Sequence, residues 1–293
     1  MLDIKFPKLE NFLDLEKPIT HVASRKVASV SEWDRVKGLI DTFVSSDKKF
    51  YRRIEGKHIE IPVRYRRLAV TGEGKEIKGV VTVSDVLDFL GAGPKHKLFG
   101  IKHGLDATVE NIMSQFVYTI DKDHSIGRSL HLFRRFRHGA YPVLDGLKLH
   151  SIVSESDLIK TVNRPLGLRV KDIMVRKPHY AKADFTITDV AKMMCKGGFR
   201  RLPVVDKKVL VGIVTPFDIL AYLHRTNKLG ELKNAENPVW YVMNKNPITI
   251  GPEEDVYDAI SIMREYNLGG LPVTRFEDLV GIITERDILD VLI

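Results

Sequence analysis

Between residues 247 and 293 the alternation of apolar and polar positions changes period several times. Pro247-Ile-Thr-Ile250 is a short β-favouring run closed by Gly251-Pro252, which predicts a strand and a turn. From Asp255 onward Val256, Ala259, Ile260 and Met263 recur at i, i+3, i+4 and i+7, the signature of one helix face. Asn267-Leu-Gly-Gly270 stops that helix. Leu271-Pro-Val273 and Leu279-Val-Gly-Ile-Ile283 then read as two strands whose continuous apolar character implies burial on both faces. Thr284-Glu-Arg-Asp287 opens a last helix, Ile288–Leu292. The predicted order is β-α-β-β-α.

The same pattern returns along the chain. Met113, Met174 and Met243 each close a Val-x-x-(Ile/Val)-Met phrase. Tyr141, Leu202 and Leu271 follow 28 residues later and open a (Tyr/Leu)-Pro-Val phrase. Ser154, Thr215 and Thr284 follow after 13 more, each with an aspartate three places on: Asp157, Asp218 and Asp287. Three copies in constant register make an internal repeat. An earlier copy is partly erased. Ile19-Thr-His-Val22-Ala23 stands where the Met phrase belongs, Leu68 comes 45 residues after Ala23, and Thr82-Val-Ser-Asp85 closes the copy one residue late. The expected repeats are 18–91, with an insertion at about 45–64, then 105–163, 166–225 and 238–293. A unit of this size buries too little surface alone. Adjacent copies are therefore expected to pair through sheets and helices as two modules, divided at Asn163-Arg-Pro-Leu-Gly167.

The step from hydroxyl to aspartate serves two chemistries. It is the spacing of a capping box, and Thr215-Pro216 even places proline at the first helical position. It also suits a ligand. The unpaired N–H groups of a helix start and a neighbouring hydroxyl donate to a phosphate, while a carboxylate one turn on accepts hydrogen bonds from sugar hydroxyls. A ribonucleotide offers both groups.

Composition narrows the rest. The 293 residues are 44% hydrophobic and 8% aromatic, with no apolar run of membrane-spanning length and no signal-peptide core. One cysteine, Cys195, excludes a disulfide framework; it falls at a helical apolar position and reads as core. The expected compartment is the cytosol. A net charge of +8 favours anionic partners, among them nucleic acid. His124, His131 and His138 are seven apart, which is not a helical metal-pair spacing, and no metal site is expected. Arg134, Arg135, Arg137 and His138, with Lys95 and Lys97, read as solvated faces that could rim an anion cleft. The insertion carries Lys48, Lys49, Arg52, Arg53 and Lys57 and reads either as a partner-binding flap or as a disordered loop.

The Val-x-x-(Ile/Val)-Met openings, the Pro142-Val, Pro203-Val and Pro272-Val strands, and the closings Gly-Ile-Val-Thr-Pro-Phe-Asp218 and Gly-Ile-Ile-Thr-Glu-Arg-Asp287 resemble the CBS domain. The chain looks like an α/β (α+β) protein of four CBS repeats paired into two Bateman modules, a disc-like assembly similar to the gamma subunit of AMP-activated protein kinase and to stand-alone archaeal and bacterial proteins. The resemblance implies a regulatory sensor, not an enzyme, that binds AMP, ADP or ATP, or alternatively S-adenosylmethionine, and has no catalytic cofactor. A homodimer and an unidentified regulated protein are the further partners it implies. By the same resemblance, Asp85, Asp157, Asp218 and Asp287 bind ribose. Thr82, Ser154, Thr215 and Thr284 contact phosphate. Ser29, Thr119, Tyr180 and Thr249 mark the strand beside the adenine. Tyr180 departs from the small hydroxyl pattern and alters the base pocket expected of copy three. Ser151 replaces the glycine found at Gly79, Gly212 and Gly281, so copy two is expected to hold its backbone further from a ligand.

The residues before each Leu-Pro-Val strand alternate. Arg66-Arg67 and Arg200-Arg201 stand in copies one and three, whereas Gly139-Ala140 and Gly269-Gly270 stand in copies two and four. Guanidinium forks bind phosphate strongly, so the four sites are not expected to be equal.

Overall fold

The computed structural model describes residues 7–46, 48–54, 57–94 and 104–293; between 48 and 63 the description is of backbone alone. Lys95, His96 and Lys97 lie outside the described residues. The β-α-β-β-α order is present in the first three stretches read as copies, and the fourth has it without a full first strand. In the second stretch it runs Ile120–Asp121, Ile126–Phe136, Ala140–Asp145, Lys148–Ser154 and Glu155–Ile159; in the third, Ala181–Lys182, Ile187–Gly197, Leu202–Asp206, Val209–Val214 and Pro216–Arg225. The fourth has Val256–Glu265, Gly270–Arg275, Asp278–Thr284 and Glu285–Leu292. Its predicted first strand shrinks to a single bridge, Ile250 to Val273. Residues 29–87 repeat the order with Ser29–Ser31, Val36–Ser45, Arg67–Thr71, Ile77–Thr82 and Val83–Leu87. The insertion forms two antiparallel strands, Lys48–Ile54 and Lys57–Val63, paired from Lys48 opposite Val63 to Ile54 opposite Lys57.

Register is the same throughout. The first strand runs parallel to the second, with Val30 beside Val70, Ile120 beside Val143 and Ala181 beside Val204. The second and third strands are antiparallel with one bulge each, between Val70/Thr71, Val143/Leu144, Val204/Val205 and Val273/Thr274. Because side chains alternate across a strand, this register sends the valines into the core and the intervening positions to the other face.

Two compact units result, and their membership departs from the expected pairing of adjacent copies. One unit comprises 1–27, 117–178 and 248–293; the other comprises 28–116 and 179–247. The first thus holds the second and fourth stretches, and the second holds the first and third. Each has its own core: Phe133, Tyr141, Val143, Val273 and Ile283 belong to one, and Phe43, Leu68, Val70, Val204 and Leu220 to the other. Within each unit the closing helices of its two stretches pack together, Glu155–Ile159 on Glu285–Leu292 and Val83–Leu87 on Pro216–Arg225.

The opening phrases explain why contiguity fails. Each docks on the sheet of a neighbouring stretch instead of its own. Ser24 bridges Ile152 (N–H to O 2.8 and 3.1 Å), and Ser114 bridges Val80 (2.9 and 3.1 Å). Val175 bridges Ile282 and Asn244 bridges Ile213 in the same way. The exchange is reciprocal between stretches one and two and between three and four. It also accounts for the glycines. A Cβ on Gly79 would lie 2.6 Å from the Met113 sulfur and 2.9 Å from the Ser114 carbonyl. Gly212 faces Met243 and Asn244 equally tightly, and Gly281 faces Met174 and Val175. Glycine at these places therefore answers an exchanged methionine. Ser151 occupies the fourth such place, fully buried, and the residue before its bridging partner Ser24 is Ala23 in place of methionine.

Candidate functional site

The hydroxyl–aspartate step is a closed capping box in all four stretches. The backbone N–H and hydroxyl of Thr82 donate to Asp85 Oδ2 (2.9 and 2.6 Å), and Thr82 Oγ1 accepts from the Asp85 N–H at 3.2 Å. Ser154 and Asp157, Thr215 and Asp218, and Thr284 and Asp287 repeat this, with N–H to Oδ2 at 2.8 Å and hydroxyl to Oδ2 at 2.6 Å in each. The cap occupies Oδ2 and fixes the carboxylate. Oδ1 takes no part in it. The capping and ligand readings are thus compatible, since one oxygen does each job.

Burial pushes the carboxyls of Asp157, Asp218 and Asp287 above the ordinary aspartate range, while the hydrogen bonds from Ser154, Thr215 and Thr284 pull them down. Neighbours add to this. Lys160 pulls Asp157 down against Glu285, which pushes it up; Asp290 pushes Asp287 up against Arg137; Arg64 pulls Asp218 down.

The strand register places the remaining candidates. Arg67 pairs directly with Thr82, Ala140 with Ser154 and Gly270 with Thr284. Leu202 pairs with Val214, which sets Arg201 beside Thr215. Arg67 and Arg201 are half-buried, and Arg66 and Arg200, one residue earlier, are exposed. Ser29 pairs with Ala69, two residues along from Arg67, so Ser29, Arg67 and Thr82 share one face of their sheet. Thr119 and Thr249 are half-buried at the corresponding places, whereas Tyr180 is 46% exposed. The bridging residues Val80, Ile152, Ile213 and Ile282 stand two positions before the hydroxyl on that same face, which is where the exchanged opening of the neighbouring stretch crosses. Each step is therefore flanked by another stretch's opening phrase.

The alternation of arginine with glycine follows the units. Both arginine pairs fall in the unit of 28–116 and 179–247; both small pairs fall in the other. There the residue after the hydroxyl is a buried glutamate, Glu155 or Glu285, in place of Val83 and Pro216. Arg286 pairs with Glu155 and donates to the carbonyls of Phe133 (2.8 Å) and His138 (3.1 Å). These glutamates, Arg286 and the Arg64 contact described below were not among the sequence candidates. A glutamate just after a cap is common enough to pass as capping chemistry, and Arg64 sits at the end of an insertion without a counterpart in the other copies.

Among the described residues no helix is long and apolar enough to cross a membrane, and no group of three metal-ligating side chains is assembled.

A family model for the CBS domain matches residues 109–164, 170–225 and 239–293. MJ1225 of Methanocaldococcus jannaschii is 31% identical over 246 residues, spanning 77% of this chain and 87% of that one. A 33.4 kDa protein from the ribosomal RNA operon of Thermofilum pendens is 30% identical over 241 residues, 77% of this chain and 80% of that one. The crystal structure of MJ1225, described as a proposed archaeal homologue of g-AMPK, matches with a TM-score of 0.78 at 26% identity, covering 93% of this chain and 99% of the other. A Pyrococcus horikoshii structure shares the fold at 17% identity, with a TM-score of 0.59 over 94% and 100% of the two chains.

Proposed function

Since the chain belongs to the CBS-domain family, we propose that it is a regulatory sensor of adenine nucleotides, AMP, ADP or ATP, and not an enzyme. In this reading residues 18–91, 105–163, 166–225 and 238–293 are four CBS copies, the first carrying the insertion. The observation that carries it is the fixed aspartate. Oδ2 is held by the cap, so Oδ1 of Asp85, Asp157, Asp218 and Asp287 is the oxygen offered to a ribose diol, at Asp218 in competition with Arg64. Thr82, Ser154, Thr215 and Thr284 stand at helix starts where a phosphate is favoured. Arg66, Arg67, Arg200 and Arg201 supply charge in one unit only. The description of MJ1225 agrees with this reading. Ligand acts by favouring one arrangement of the protein over another, which a regulated partner, or a second copy of the chain, then reads in the cytosol.

S-adenosylmethionine is the second reading, favoured at Asp157. Alanine instead of arginine stands opposite Ser154, and Glu285 offsets part of the Lys160 charge, which leaves the site open to a cationic adenosine derivative.

Calorimetric titration of protein stripped of carried-over nucleotide tests both. AMP, ADP and ATP are expected to bind at micromolar affinity or tighter with about two tight sites per chain, and GMP far more weakly. Equal binding of AMP and GMP removes the adenine reading; affinity for duplex DNA falling steeply with salt would support the nucleic-acid alternative.

A further inference from the structure

Asp218 differs from the other three aspartates in what meets its outward oxygen. Arg64 Nη1 lies 3.0 Å from Asp218 Oδ1, the atom the cap leaves over. The same guanidinium lies over the Phe217 ring, 4.3 Å from its centroid. The pair is shielded, with side-chain exposures of 32% for Arg64 and 16% for Asp218, so solvent screens it only partly. Arg64 directly follows the second inserted strand, Lys57–Val63, and precedes Arg66-Arg67.

We propose that Arg64 is a specificity-determining residue of the Asp218 site: it competes with the ribose diol for Oδ1, and a ligand displaces it cheaply only by offering a phosphate in exchange. This rests on the nucleotide-binding reading of Asp218. A ribose hydroxyl and a guanidinium cannot both take the same direction on Oδ1. An incoming nucleoside must break an ion pair and return only a hydrogen bond from an uncharged donor, leaving the guanidinium without the Asp218 carboxylate. A nucleotide breaks the same bond, but its phosphate, placed at the start of the helix Pro216–Arg225, gives the released guanidinium a new anion. Phe217 occupies the second position of that helix, so a guanidinium seated on its ring is within a side-chain rotation of the helix start. The site thereby rejects adenosine relative to AMP by more than the phosphate's own contacts would produce. Among the described residues no guanidinium pairs with Asp85, Asp157 or Asp287 as Arg64 does with Asp218, and those three sites are expected to discriminate less.

The test uses the full chain, stripped of nucleotide, and titrates AMP, adenosine and 2′,3′-dideoxyadenosine into the native protein, Arg64→Met, and Arg64→Met/Asp218→Asn. Methionine keeps apolar bulk over Phe217. In Arg64→Met, adenosine is expected to bind one site about tenfold or more tighter, the size of one charged hydrogen bond, while AMP gains less. The ratio of adenosine to AMP dissociation constants falls accordingly. The gain is expected to vanish in the double variant and to be absent for dideoxyadenosine, which lacks the diol. An unchanged ratio overturns the proposal, as does weaker adenosine binding or an equal gain for dideoxyadenosine. Native protein that binds AMP with an unchanged ratio in Arg64→Met removes only the role of Arg64. If neither native protein nor variant binds AMP, the nucleotide reading falls as well.

Discussion

The two compact units are built from the same repeat yet hold charge in opposite ways. In the unit of 28–116 and 179–247, arginine stands opposite the capping hydroxyl and an apolar residue, Val83 or Pro216, follows it. In the unit of 1–27, 117–178 and 248–293, glycine or alanine stands opposite and a buried glutamate follows. On the proposed reading the first arrangement favours an anion at the helix start. The second fills the space between closing helices with its own ion pair, Glu155 and Arg286, extended by Arg137 to Asp290 at 2.6 Å. Identical aspartates thus sit in unlike surroundings, and the difference is one between units, not between neighbours in sequence.

The sharpest test of that contrast is Arg286→Met. Removing the guanidinium takes the Arg286 partner from the Glu155 charge, 2% exposed, and is expected to cost about 3–5 kcal/mol in urea unfolding. Glu155→Met/Arg286→Met should recover most of it. A double variant no more stable than the single one would show that the ion pair is not what joins these helices.

Next in size are the aspartates. Asp218→Ala and Asp287→Ala should each weaken one nucleotide site by about 1.5–3 kcal/mol, and each loses a cap worth about 1 kcal/mol. Variants that melt early yet bind AMP normally would leave the aspartates as caps alone. Arg200→Ala/Arg201→Ala should remove a tight site, whereas no change in stoichiometry would make the arginine contrast irrelevant to binding.

Smaller still is the glycine rule. Gly281→Ser should cost about 1–3 kcal/mol through crowding against Met174, and Met174→Ala in the same chain should relieve it, as Ala23 does for Ser151. No relief would mean the Val175 carbonyl, not the sulfur, sets the limit.

The smallest effect is on pH. The folded pKa values of Asp157, Asp218 and Asp287 are raised, so their stability contribution is full below the unfolded pKa and lost as pH rises through the folded value. Nucleotide binding has the opposite demand, since only the carboxylate accepts from the diol. AMP affinity should therefore fall on acidification while still above the ordinary aspartate pKa of about 3.9. At Asp218 the fall should move to higher pH in Arg64→Met, because Arg64 holds that carboxyl down.

Much of this was legible in the sequence. The spacing from Leu271 to Thr284 gave the strand pair and cap, since period and turn chemistry are local. The exchange of opening phrases was not, because no local period says on which sheet a segment docks. A trace of it is still written there: the chain lacks methionine at Ala23 and lacks glycine at Ser151, two positions that belong to different copies. Arg64 was illegible for another reason, since it acts across 154 residues and only through the fold.

Exchange also has a consequence for synthesis. The chain changes unit at 27/28, 116/117, 178/179 and 247/248, so neither unit is one continuous piece. As the polypeptide emerges, residues 28–116 can begin to collapse, but their unit lacks its second half until residue 247 is made. The other unit must wait longer, with Ile19 and Phe133 exposed until Leu271, Ile283 and Leu289 arrive to cover them. A growing chain that withholds so much apolar surface from its partners is a natural client for chaperones, and one whose ribosome-bound fragments should be cut by protease until the final helix is out.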